Sequence, residues 1–417
     1  MPKVLIICGT FPPQSDVGGL RPAMMAKFLP EFGWEPLVLT RDYGDDHGLR
    51  DFRMHIDGLQ NVRVMRVEVS AREEKEYLRA RGFIWRARHF LEIEKTFPPA
   101  AYDKSWKFAR AHLCDEKIDV IWATAPDFPP LRIGRDLSQK LGIPWIADFR
   151  DITEQEDGIR RHWRESLLRV RSRFRRSRLM RTSSFLTTVS QYHGRMLERK
   201  TGKACRLVYN GYDPELFKPV SPSQNRRFSI VYLGRILSER YRNPRLLFQA
   251  LDALISLGAI DAGNIEIAFY ATEPSILKPI IREYNSAQVC LLHDRLEHNK
   301  LPDIMAKASI LLLLNEYGRS GVLSTKLFEY LAMERPILCI RTEQTSEMAE
   351  IIKKANAGYA GDDLEDVKRF LLVHYGMWKR QGYCLSNSDQ TYISQFSRRE
   401  QAGRLADLLT EAAAVRR

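Results

Sequence analysis

The chain of 417 residues is long enough for two or three domains, and a composition 44% hydrophobic and 28% charged excludes wholesale disorder, a collagen-like repeat and a disulfide-dense scaffold. Lys and Arg total 65 against 52 Asp and Glu, so the formal charge of +13 calls for an anionic partner; nucleic acid, an acidic membrane surface and a phosphorylated substrate satisfy it equally. No apolar run approaches the roughly 18 residues of a membrane span, residues 1–10 lack the cationic lead of a secretory signal, and the six cysteines, without CxxC spacing, read as reduced core thiols, so the expectation is a cytoplasmic protein.

The first strand is expected over residues 4–7. A loop, GTFPPQSDVGG, leads to a helix with Leu20, Met24 and Phe28 as apolar positions, which stops at Gly33 before a strand at 36–39; this is a β-loop-α-β unit. Strands follow at 61–67, at 119–123 after a helical stretch at 101–112, at 143–147 and at 185–189. The segments between them are long enough for crossover helices, so the sheet should be parallel. The pattern then dissolves into NGYDPELFKPVSPSQN, rich in Pro, Ser, Asn and Gly. That sets a first domain at 1–212, a linker at 213–226 and a second domain at 227–396.

The second domain reads as strand 228–233, helix 244–257, strands 265–270 and 289–292, helix 301–307, strand 310–314, helix 324–333 and strand 336–340. The tail 397–417 opens with SRRE, a capping-box pattern, and carries Leu405, Leu408, Leu409 and Ala412 on one helical face. It reads as a C-terminal helix returning to the first domain. The fold class is therefore α/β, with two Rossmann-like doubly wound parallel-sheet domains facing across a cleft lined by the carboxyl ends of their strands. No internal repeat or low-complexity tract is evident.

Three segments have the residue types for binding chemistry. Gly18 and Gly19 stand at a helix start, where glycine lets the backbone approach a phosphate or sugar, or simply makes a tight turn. Strand 229–233 runs into Gly234 and Arg235 with Arg240 five residues on, a pair of cations suited to a diphosphate, or simply a surface arginine at a strand end. After strand 310–314 comes NEYGRSGVL and then STKLFEYLAMERPIL. With Ser324 or Thr325 as cap, Lys326 and Glu329 share one side of a helix while Leu327, Phe328 and Leu331 pack inward. A lysine there meets phosphate and a carboxylate there accepts from vicinal ribose hydroxyls; in isolation the pair also reads as a surface ion pair.

Taken in order, GTFPPQSDVGGLR, DVIWATAPDFPP, GIPWIADFRD, TTVSQYHGRML, YNGYDPELF, YLGRI, LHDRLEHNKLPDIMAKAS and KLFEYLAMERPIL make the chain resemble the retaining, nucleotide-sugar-dependent glycosyltransferases of family 4, with the GT-B fold. The resemblance implies a donor site of Gly18, Gly19, Arg235, Arg240, Arg295, Leu296, Glu316, Lys326, Leu327 and Glu329. Arg235 falls on the family's diphosphate arginine, Arg240 where the family usually has lysine, Glu329 on the second of its paired glutamates, and Arg295 and Leu296 in the loop framing the base. Where the first glutamate would stand, this chain has Gly321, with Glu316 or Arg319 nearby to compensate. Where members often carry a histidine, it has Arg150, which makes Arg150, Asp148 and Asp151 the catalytic candidates: Arg150 for the departing charge, the aspartates for acceptor hydroxyls or for bracing the loop. The resemblance implies no cofactor and no metal, the nucleotide diphosphate sugar being a substrate.

Two basic stretches remain. Residues 160–181 hold ten arginines and one acid, with Ile159, Trp163, Leu167, Val170 and Phe174 as an apolar stripe; residues 77–91 interleave Phe83, Ile84, Trp85 and Phe90 with arginines. Such amphipathic segments suit adsorption to an anionic membrane surface, or pack on the sheet with solvated arginines. The expected partners are thus a nucleotide-sugar donor, a lipid-linked saccharide or surface-polysaccharide acceptor and the inner membrane face, with no nucleic acid. The rival readings are a non-catalytic partner subunit, a nucleotide-sugar epimerase and a basic nucleic-acid-binding protein.

Overall fold

A computed structural model of the chain describes residues 1–13, 17–42, 56–68, 99–125, 128–156, 170, 173–174, 176–236, 238, 241–316 and 318–414. The chain divides into two compact units, one of Met1–Gln155, Arg160–Tyr209 and Arg398–Arg417, the other of Glu156–Ile159 and Asn210–Ser397.

The first unit holds β1 (Lys3–Cys8), β2 (Glu35–Asp42), β3 (Arg63–Glu68), β4 (Val120–Ala125), β5 (Trp145–Phe149), β6 (Leu186–Thr188) and β7 (Cys205–Leu207), with α1 (Val17–Phe28), α2 (Pro99–Leu113), α3 (Phe128–Leu141) and α4 (Gln191–Thr201). The sheet is parallel throughout, in the order β3-β2-β1-β4-β5-β6-β7. Its central strands are buried on both faces, which is why they read as continuous apolar runs rather than alternating ones. Leu5, Ile121 and Trp145 belong to one core layer, Val4, Trp122 and Ile146 to the other. The second layer is completed by the C-terminal helix Arg398–Ala414, through Ala402, Leu405, Leu409 and Ala412. Gln401 Oε1 accepts from Tyr209 N at 2.6 Å and Arg398 donates to Leu20 O at 3.3 Å, which seats the start of that helix.

The second unit holds β8 (Phe228–Leu233), β9 (Ile265–Tyr270), β10 (Cys290–His293), β11 (Ile310–Leu314), β12 (Ile337–Ile340) and β13 (Gly358–Gly361), parallel and ordered β10-β9-β8-β11-β12-β13. Its helices are α5 (Arg245–Ser256), α6 (Pro274–Ile281), α7 (Leu301–Ala306), α8 (Thr325–Leu331), α9 (Glu347–Lys354), α10 (Leu364–Gln381) and α11 (Gln390–Ser394). Each sheet reverses its strand order once, between β1 and β4 and between β8 and β11, and in such sheets ligands bind beyond the carboxyl ends at the reversal. Residues 213–226, set apart by composition as a linker, pack within the second unit: Asn225 N donates to Gly382 O at 2.8 Å, Trp378 Nε1 to Asn225 O at 3.0 Å and Arg335 to Val220 O at 3.2 Å.

The basic stretch 77–91 lies outside the described residues, as do 160–169, 171–172 and 175. In the described part of 170–181, Arg176 is only 3% exposed and donates both terminal nitrogens to Glu154, while Val170 and Phe174 stand 60% and 71% exposed. One arginine expected in solvent is therefore inside, and two apolar residues of the stripe are outside. Among the described residues no helix is long and apolar enough to cross a membrane.

Candidate functional site

A cluster of charged side chains lies beyond the strand ends at the β8/β11 reversal. β8 ends in Gly234, and a Cβ there would sit 2.7 Å from Lys326 Cε, so the glycine leaves room for the lysine to lie across the strand end. Gly234 is held on both sides, its N donating to Tyr270 O at 3.1 Å and its O accepting from Thr272 Oγ1 at 2.7 Å. Arg235 extends from this end with its side chain 61% exposed and Glu273 3.9 Å away. Arg240 lies outside the described residues. A cation that the sequence reading passed over, Arg242, turns into the site: it donates through Nη1 to Arg235 O at 2.9 Å and through Nη2 to Glu316 Oε1 at 2.6 Å.

Glu316 follows β11, and both its oxygens are taken, the second accepting from Arg319 Nη1 at 2.7 Å. Burial would raise its pKa, but the charges and hydrogen bonds of Arg242 and Arg319 hold the carboxyl below its ordinary 4.5. Arg319 also lies over the Tyr241 ring at 5.0 Å. The Arg242–Glu316–Arg319 set thus ties the loop after β8 to the loop after β11. Gly318 and Gly321 in the second loop have φ of 77° and 76°, in the left-handed region, so Gly321 is demanded by the backbone and a glutamate there would be strained.

Ser324 caps α8, its side chain accepting from Lys326 N at 3.4 Å. Leu327 is fully buried with Phe328 and Leu331, which leaves Leu327 no side-chain surface for a ligand. Glu329 is 4% exposed and its Oε1 is 3.3 Å from His298 Nε2, the imidazole in turn standing edge-on to Phe217 at 5.4 Å. Burial, with Arg242 and Arg295 adding like charge, pulls the Lys326 pKa below 10.5 against the opposing pull of Glu329. Arg295 is exposed and Leu296 half-buried in the segment after β10. Crowded, partly desolvated cations of this kind are relieved by a dianionic diphosphate.

In the first unit, Asp148 is fully buried. Its carboxylate accepts from Arg21 Nε and Nη2 at 3.0 and 2.8 Å, from Thr124 Oγ1 at 2.6 Å and from Thr187 Oγ1 at 2.7 Å. Of the two roles read for it, acceptor orientation and bracing, this geometry is bracing, because all its lone pairs face the core. Arg21, 2% exposed, also donates to Tyr209 O at 3.0 Å. Arg150, half-buried, and the exposed Asp151 follow β5. Arg150 and Arg66 lie near Cys8, whose thiol is pushed up to about 12 chiefly by burial. A Cβ on Gly19 would approach Thr10 and Phe11 backbone at 3.3 Å, so this glycine serves the contact of α1 with the loop after β1; Gly18 precedes it, half-buried. Among the described residues no three His, Cys, Asp or Glu side chains converge as a metal site.

Residues 18–212 match the glycosyl transferase 4-like domain family. Comparison with the curated proteins gives no match. Among solved structures, sucrose-phosphate synthase from Thermosynechococcus elongatus aligns over 100% of both chains with a TM-score of 0.68 and 13% identity. HepE of Anabaena, solved in complex with UDP, aligns over 99% of this chain and 100% of its own at 0.62 and 16%. WaaG, a glycosyltransferase involved in lipopolysaccharide biosynthesis, aligns over 99% of each chain at 0.57 and 14%. At these identities the likeness establishes the fold, GT-B.

Proposed function

The chain carries a glycosyl transferase 4-like domain in a GT-B fold, and from that premise we propose that it moves a sugar, with retention, from a nucleotide diphosphate sugar to a lipid-linked saccharide or surface-polysaccharide precursor. The observation that carries the donor half is Lys326 crossing Gly234 beside Arg242, with Glu329 three residues further along α8. Lys326, Arg235 and Arg242 stabilise the diphosphate as it departs, and Glu329 accepts from the ribose hydroxyls. The bond from the anomeric carbon to the diphosphate oxygen breaks, the acceptor oxygen bonds to that carbon from the same face, and the acceptor proton passes to the leaving diphosphate. The protein's contribution is then positioning and charge stabilisation. In the first domain Arg150 and Asp151 remain the candidates for the acceptor side.

The acceptor class and a peripheral place on the inner membrane face rest on the arginine-rich stretches at 77–91 and 160–181, on the exposure of Val170 and Phe174, and on the likeness to WaaG. A second reading, nucleotide binding without transfer, is favoured by one observation, the left-handed Gly321 where the family's first glutamate would stand.

Incubation with UDP-, GDP- and ADP-sugars and a lipid-linked acceptor, with release of nucleoside diphosphate and product anomer followed by NMR, decides between them. The proposal expects turnover with the donor's anomeric configuration kept. Binding without turnover supports the second reading, and an inverted product overturns retention. Co-sedimentation with vesicles should show binding to anionic lipid that weakens as salt shortens the Debye length from about 10 Å at 0.1 M to about 3 Å at 1 M. Equal binding to neutral vesicles overturns the membrane assignment.

A further inference from the structure

Glu329 has a neighbour of a different kind from those of the other carboxylates held inside the fold. Asp148 has both oxygens bonded by Arg21, Glu154 both by Arg176, and Glu316 one by Arg242 and the other by Arg319. A guanidinium so placed closes the group, because its fork of N–H donors covers the lone pairs a ligand would use and its charge cancels the carboxylate's. Against Glu329 stands an imidazole: His298 Nε2 lies 3.3 Å from Oε1. An ionised carboxylate only accepts, so the hydrogen in this contact is on Nε2. One imidazole N–H reaches one oxygen and does not fork over both, which suits a carboxylate kept as an acceptor for a ligand.

The ring is aimed by its surroundings. His298 opens the turn 298–300 ahead of α7, and the buried Phe217, from the segment 213–226, meets the imidazole edge-on with centroids 5.4 Å apart. Glu329 stands on α8 one turn beyond Lys326, whose charge attracts it. Three separate stretches of chain thus meet at one carboxyl group, which is buried while His298 is only half-buried. Packing of the turn against Phe217 alone would be served by an apolar side chain. What the N–H adds is the direction in which the Glu329 carboxyl plane faces.

We propose that His298 is a positioning residue for the donor: its Nε2–H holds the Glu329 carboxyl group in the orientation that accepts from the vicinal ribose hydroxyls, so that preference for ribose over 2′-deoxyribose depends on a side chain that does not itself touch the sugar. The inference rests on the ribose role given to Glu329 above. A hydrogen bond to a charged acceptor is worth about ten- to a hundredfold in affinity, which bounds what His298 controls.

The test is calorimetric titration of UDP, GDP and ADP, their 2′-deoxy counterparts and inorganic pyrophosphate into the full chain and into His298→Ala, His298→Gln and Glu329→Ala, with melting temperature as the check on folding. The parent should bind its preferred ribonucleotide about tenfold or more tightly than the 2′-deoxy form, and Glu329→Ala should lose that preference. His298→Ala should bring the ratio below about threefold with pyrophosphate affinity unchanged, while His298→Gln, whose amide N–H reaches the same oxygen, should keep it above about fivefold. If Glu329→Ala loses the preference and His298→Ala keeps it, the positioning role is overturned while the ribose reading stands. Loss of nucleotide and pyrophosphate alike in His298→Ala, or no rescue by His298→Gln, also overturns the role, since either is the mark of packing alone. A parent that does not distinguish ribose from deoxyribose, or a Glu329→Ala that still does, overturns the ribose reading and the inference with it.

Discussion

Replacing Asp148 by Asn separates bracing from catalysis at the end of β5. The carboxylate is fully buried, its partner Arg21 is 2% exposed, and the two are joined by hydrogen bonds of 2.8 and 3.0 Å. The amide keeps the shape, but its NH2 cannot accept, so one of the Thr124 and Thr187 hydroxyls must turn to accept from it, one Arg21 N–H loses its acceptor, and the Arg21 guanidinium stays charged in the core with no counter-ion. Removing one member of a buried pair costs about 3–5 kcal/mol, and the remaining Tyr209 carbonyl contact places this case near the lower end. For a unit of this size each kcal/mol moves the midpoint by roughly 2–4 °C, so calorimetry should show the melting transition lowered by about 6–12 °C, with little dependence on salt. Removing both charges, as Arg21→Met with Asp148→Leu, should recover part of the loss, because no unpaired ion remains. Sugar transfer by Asp148→Asn, assayed well below its lowered midpoint, should stay within a few-fold of the parent. An unchanged melting temperature together with abolished transfer would refute the bracing role and make Asp148 a catalytic group.

Three further outcomes follow from particular side chains. Gly321→Ala, which forces a Cβ into a left-handed backbone of φ 76°, should lower unfolding stability in urea by about 1–2 kcal/mol, and Gly321→Glu should not raise turnover. Glu154 is buried, which alone would raise its pKa, yet Arg176 and Arg173 hold it below 4.5; its ionised form therefore stabilises the fold fully above that value and the contribution is lost as the pH falls through the lowered pKa. A urea series on the acid side should accordingly be flatter for Glu154→Gln than for the parent, and identical slopes would exclude the pairing. Lys326 has its pKa pulled below 10.5 by burial, so it loses its proton early, and affinity for a nucleoside diphosphate should fall as the pH rises through that range in the parent but not in Lys326→Arg; parallel alkaline profiles would remove Lys326 from the phosphate site.

The strands that were legible are those buried on both faces. Residues 228–233, 265–270 and 310–314 coincide with β8, β9 and β11, because a buried parallel strand needs an unbroken apolar run. β7 and β13 escaped notice: Cys205–Leu207 and Gly358–Gly361 are edge strands, short and half-exposed, and nothing in their composition marks them. At the site, Lys326 and Glu329 were readable from a capped helix of the right spacing. The place of Arg242 was not, since nothing in the sequence marks where the turn after Arg235 points it, and it is the hydrogen bond to Glu316 that brings Arg242 into the site. Asp148 was legible as a residue of interest, while its partner Arg21 lies 127 positions away and only the fold joins them.

The central claim is that the β8/β11 reversal of the second domain binds the diphosphate of a nucleotide sugar. Hydrogen–deuterium exchange of the full chain with and without UDP, GDP or ADP, read by mass spectrometry, tests it most directly. Peptides covering 234–243, 293–300 and 315–331 should gain the strongest protection with the preferred nucleotide, and that protection should vanish in Lys326→Ala. Unchanged exchange in all three peptides, or protection confined to the first domain, would contradict the account.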